Sequence, residues 1–160
     1  MASLIPDSIE ALCARLASPK DWPFGRSWCG DITDIRLRQR PFELARKLGY
    51  EPANDFKFYE VNLQTASKVI AYLRRESLAF GKPHYRKSDA HAFERMLLAE
   101  LGPDARFWTN CTTDHIVEKG QKPPPSFGWA FSPLANATFE FGIMGCNQTK
   151  GFAIWVEEED

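Results

Sequence analysis

Apolar positions recur every three or four residues through the first two-thirds of the chain and every second residue through the last third. Ile9, Leu12, Cys13 and Leu16 keep i, i+3, i+4, i+7 spacing and so share one helical face. Asp7 is placed to cap that helix, with Glu10 reaching back in a capping box. Pro41 to Leu48 predicts a brief helix, with proline in its first turn and Gly49 at its C-terminal end. Asn62 caps a helix striped by Ala66, Val69, Ile70 and Leu73 and running to about Phe80. Ser88 caps another, striped by Ala90, Phe93, Leu97 and Leu101 and stopped by Gly102 and Pro103. Between the first two helices, "KDWPFGRSWCGD" (residues 20–31) reads as a loop. "DITDIRLRQR" after it alternates Ile35 and Leu37 against Arg36, Arg38 and Arg40, the pattern of a short strand with a solvated basic face.

Beyond Asp104, "ARFWTNCTTDH", "FGWAFS", "TFEFGIM" and "GFAIWVE" alternate and are rich in aromatic and β-branched residues, which predicts four strands. "EKGQKPPPS" follows the first as a loop whose prolines cannot donate to a ladder, and "PLANA" and "GCNQTKG" are turns. Helices first and an antiparallel meander last define an α+β domain, with the N-terminal helices packed on one face of the C-terminal sheet. A chain of 160 residues is one domain by size, helical over about 1–103 and meandering over about 104–160.

The last two strands carry the best indication of a surface. Phe139, Phe141 and Ile143 face the same side as Phe152, Ile154 and Val156, the side the helices should cover. The opposite side carries Trp155, Met144 and the bare Gly142, rimmed by Glu140, Glu157, Glu158 and Glu159. An aromatic anchor ringed by acids has the make-up of a partner-binding hot spot. The alternative is that a loop such as residues 20–30 covers this face and makes Trp155 part of the core.

Composition narrows the partner. Apolar residues make up 44% and charged residues 26%, which is globular rather than disordered. The net charge of −1 exerts no strong pull on nucleic acid or an anionic membrane, although Arg36, Arg38, Arg40, Arg46 and Lys47 cluster against the lone Glu43. The N-terminus has no basic region and carries Asp7 and Glu10 where a signal peptide is apolar, and no run reaches the roughly 18 apolar residues of a membrane span. The expected compartment is the cytoplasm. There the four scattered cysteines, which form no C-x-x-C pair, are expected to stay reduced, and they lack the paired spacing of a zinc site.

Candidate chemistry is thin. "CTTDH" offers Cys111 as a nucleophile with His115 as base, yet i to i+4 along a strand spans about 13 Å, far beyond hydrogen-bond reach. His91 and Glu94 are neighbours at i, i+3 on a helix, but no second pair at recognisable spacing joins them, His84 or His115 into a metal site. Phosphate-binding, nucleophile-elbow and zincin motifs are lacking, and nothing implies a cofactor. The reading is therefore a non-catalytic protein-binding domain, against a small enzyme using Cys111 and His115, or a structural or adaptor subunit.

"GPDARFWTN", the strand "TFEFGIMG" and the terminal "GFAIWVEEED" together resemble the closing part of small bacterial immunity proteins encoded beside polymorphic or contact-dependent toxins. The resemblance covers about the last third of the chain. It implies a compact cytoplasmic α/β or α+β domain without catalytic residues that binds and neutralises a cognate toxin domain through an acidic surface. Nuclease toxins bind polyanions through basic clefts, which an acidic, aromatic-anchored patch would suit.

Overall fold

The computed structural model of the protein describes residues 6–16, 25–33, 36, 39–73, 87–110 and 139–158. Within them the elements run α1 (Ile9–Leu16), β1 (Gly25–Asp31), α2 (Arg40–Lys47), β2 (Tyr59–Val61), α3 (Leu63–Leu73), α4 (Lys87–Leu101), β3 (Arg106–Thr109), β4 (Phe139–Cys146) and β5 (Lys150–Glu158). The α+β class holds. The described strands form one antiparallel sheet in the order β1-β5-β4-β3-β2.

Helix boundaries follow the local chemistry with small shifts. Ser8, not Asp7, caps α1: its hydroxyl accepts from the Ala11 amide at 3.0 Å, and the Ile9 amide donates to Glu100 on α4 at 2.6 Å. That second bond ties an orphan helix-start donor to a distant carboxylate, so no local capping box is needed. Asn62 caps α3 as expected, accepting from the Thr65 amide at 2.8 Å. Helix α4 begins at Lys87, which puts Ser88 inside its first turn. Gly49 and Gly102 end α2 and α4 at φ +92° and +83°, the left-handed geometry that glycine adopts without strain. The extension of α3 toward Phe80 lies outside the described residues, as do Ile35 and Leu37.

Two expectations about the sheet are corrected. Residues 25–31, read as loop, are strand β1, which pairs with β5 from Gly25 opposite Val156 to Asp31 opposite Lys150. The expected order along the meander is also corrected at β3, which pairs directly with β4 (Trp108 opposite Met144). Residues 111–138, including "FGWAFS", lie outside the described residues.

The sheet is roofed on both sides. Toward α1, α3 and α4 it presents Phe107, Phe141, Ile143, Phe152, Ile154 and Val156, which pack on Leu12, Val69, Ile70, Phe93 and Leu97. This is the helical cover that the alternation foretold. The parity of the last hairpin holds, with Phe141 opposite Val156 and Ile143 opposite Ile154. On the other side Trp108, Met144, Cys146, Ala153 and Trp155 pack on Leu44 and Ala45 of α2 and on Ile32, Leu48 and Tyr50. A central strand buried on both faces has to read as a continuous apolar run, and "GFAIWV" does.

Candidate functional site

The expected hot spot is placed where a partner cannot reach it. Trp155 and Met144 are fully buried, and Glu140 is 1% exposed. The physical reason lies in α2. Its Pro41, Leu44 and Ala45, with Leu48 beyond its end, form a 3.6-period apolar stripe that needs a partner, and this face of β4 and β5 supplies one. The cover therefore comes from α2 and the segment after it, with Trp28 of β1 packed against the same cluster.

Trp155 sits opposite Gly142, and its indole occupies the space a Cβ at Gly142 would take. Its ring lies 6.3 Å from that of Tyr50 at 59°, and its Nε1 is buried with no hydrogen-bond partner among the described residues. Glu157, across from Glu140, is held in place rather than free on a rim: Tyr50 donates to its Oε2 at 2.6 Å and Arg26 to its Oε1 at 3.3 Å. The Arg26 guanidinium also lies 4.6 Å above the Tyr50 ring and donates to the Leu48 carbonyl at 3.3 Å. Burial, followed by the bond to Glu157, pushes the Tyr50 phenol well above its ordinary range. Of the other two acids, Glu158 is described only as the last residue of β5, and Glu159 lies outside the described residues.

Just past the end of β3, the Asn110 side chain bonds to the backbone of β4. Its amide donates to the Glu140 carbonyl at 3.1 Å and accepts from the Gly142 amide at 3.3 Å, while Thr109 donates to the Gly142 carbonyl at 2.5 Å. The buried backbone of β4 is thereby satisfied beyond the end of its ladder with β3.

The candidate reactive residues are not assembled by what is described. His91 lies 3.8 Å from Glu94 on the exposed side of α4. Cys111, His84 and His115 lie outside the described residues, among which no group of three His, Cys, Asp or Glu side chains could hold a metal. Burial, and next the neighbouring Cys29, pushes the Cys13 thiol far above its ordinary range, so it is a poor nucleophile. Among the described residues no helix is long and apolar enough to cross a membrane.

A surface feature that periodicity did not reveal is a recess of about 550 Å³ where α1, β1, α4 and the start of β5 meet. Its lining combines the carboxylates of Glu10, Asp31 and Glu100 with apolar contributions from Ile9, Cys29 and Leu101, and Lys150 is the one cation among its described lining residues. Leu98, 45% exposed on α4, stands three residues before Leu101. The four recess charges come from four elements, so only the assembled topology brings them together.

Comparison of the chain with family models, with curated proteins and with solved structures finds no match in any of the three.

Proposed function

We propose that this chain is a non-catalytic protein-binding domain of the immunity-protein kind, which docks on a bacterial toxin domain with a basic surface and neutralises it. The observation that carries the reading is the recess lined by Glu10, Asp31 and Glu100 together with Ile9, Cys29 and Leu101. A lysine or arginine of the partner suits it, the aliphatic stem lying on Ile9 and Leu101 and the cationic head among the carboxylates. Three acids against Lys150 leave a local excess of negative charge, which favours such a group and speeds encounter at low salt.

Of the C-terminal acids, Glu157 lies near the end of β5, away from the recess at the start of that strand. Eight steps along β5 lead from Lys150 to Glu158, about 26 Å at 3.3 Å per residue, beyond the Debye length of about 8 Å at physiological salt. Steering into the recess is therefore local.

The test begins with the gene beside this one. Its encoded toxin domain, co-expressed with this chain, should lose its toxicity and co-elute as a stable complex. Replacing exposed Glu10 and Asp31 together by Arg should slow association at low ionic strength and abolish protection, with the fold intact. The reading fails if the neighbouring product is harmless, or if the doubly reversed protein binds and protects like the parent.

A further inference from the structure

A second recess, of about 530 Å³, lies by the β4–β5 turn and is lined in part by Arg40, Asp104, Arg106, Asn147, Gln148 and Thr149. The two arginines differ in their partners. Arg106 is held by Glu60 through two bonds of 2.6 and 2.8 Å, which offset its charge. Arg40, the first residue of α2, has no carboxylate partner among the described residues, and its Nε is buried without an acceptor. The group packed against its guanidinium is the fully buried Cys146 thiol. Burial raises the Cys146 pKa despite Arg40 beside it, so the thiol stays protonated and does not balance the cation.

The turn that forms the far wall is built in advance. Asn147 accepts from the Thr149 and Lys150 amides at 2.9 and 2.7 Å and donates to the Leu101 carbonyl at 3.2 Å. This occupies the Asn147 oxygen and one of its two N–H donors, and it fixes Gln148 and Thr149 in place. Donors left for a ligand are the Arg40 N–H groups not engaged by Cys146, the Nη1 of Arg106, the second Asn147 N–H and the Gln148 amide.

With one uncompensated guanidinium, and Asp104 in the lining against a second negative charge, the site matches a monoanion better than a dianion. Its volume falls within the roughly 300–1,000 Å³ of small-molecule pockets, so there is room for an organic body behind the anionic group. We propose that this recess binds the carboxylate of a small organic acid, with Arg40 as its principal partner. This is independent of the acidic recess and of protein binding there.

Benzoate, acetate and inorganic phosphate, titrated separately into the full chain at constant ionic strength and followed by NMR, test it. Benzoate should saturably shift the backbone amides of Gln148 and Thr149 and the Arg40 Nε–H, and bind more tightly than acetate or phosphate. Arg40→Gln should weaken benzoate at least about tenfold, the loss of one charge-assisted pair. Should Arg40→Gln unfold, Gln148→Ala must still weaken benzoate while leaving the melting temperature unchanged. Benzoate shifts that never saturate, an unaltered affinity in the folded variant, or tighter binding of phosphate would each overturn the proposal.

Discussion

The indole of Trp155 lies over the backbone of Gly142, its cross-strand partner, so that the largest side chain on β5 fits because β4 has none at the facing position. An aromatic lying over a strand glycine restores the packing that the glycine lacks. Here the pair also forms the floor on which Tyr50 and α2 rest.

Gly142→Ala tests that fit. The added methyl would overlap the Trp155 ring and come within 2.6 Å of the Ile154 carbonyl, so β5 itself has to move. The expected cost is about 1–3 kcal/mol, typical of overpacking, read as a lower urea midpoint with an unchanged slope.

Trp155→Ala should destabilise by about 3–5 kcal/mol as a core truncation, lowering the melting temperature rather than releasing a partner. Trp155→Phe should cost far less than its lost volume implies. It removes a buried Nε1–H that has no acceptor among the described residues, and with it an unmet desolvation penalty of about 1–3 kcal/mol. Equal costs for the two variants in urea unfolding would mean that this nitrogen is hydrogen-bonded in solution.

The same strand explains what was legible in the sequence. Its parity placed Phe152, Ile154 and Val156 on the helical side, because alternation against a buried face is a local signal. The fate of Trp155 was not local. It turned on α2, whose stripe of Pro41, Leu44, Ala45 and Leu48 was visible but whose partner was not. Strand β1 escaped notice because "GRSWCGD" has glycines near both ends and no β-branched residue; it is a strand through its pairing with β5 and the packing of α1 upon it. The recess acids Glu10, Asp31 and Glu100 lie up to 90 residues apart in the chain, beyond any spacing motif.

Asn110→Ala should be costly for a surface-like residue type. It strips the Glu140 carbonyl and the Gly142 amide of a side-chain partner inside the core. Leaving buried backbone groups unmet costs about 1–3 kcal/mol each. Hydrogen exchange at the Gly142 amide should accelerate more than exchange elsewhere in β4, which separates a local loss of bonding from general destabilisation.

Tyr50 sets a pH limit. Burial and the bond to Glu157 hold its native-state pKa above the unfolded value near 10. Below pH 10 the phenol is neutral in both states, and its contribution to stability is fully present. Above pH 10 the unfolded chain gives up this proton first, the native state retains it, and stability falls as pH rises. Wild type should therefore lose stability between pH 10 and 11 more steeply than Tyr50→Phe. At pH 7 the variant should be the weaker of the two by about 1–2 kcal/mol, having lost a hydrogen bond to a carboxylate. Urea unfolding of both proteins at pH 7, 9, 10 and 11 measures the difference. Parallel curves would mean that Tyr50 ionises as readily in the fold as out of it, and that the bond to Glu157 does not hold its proton.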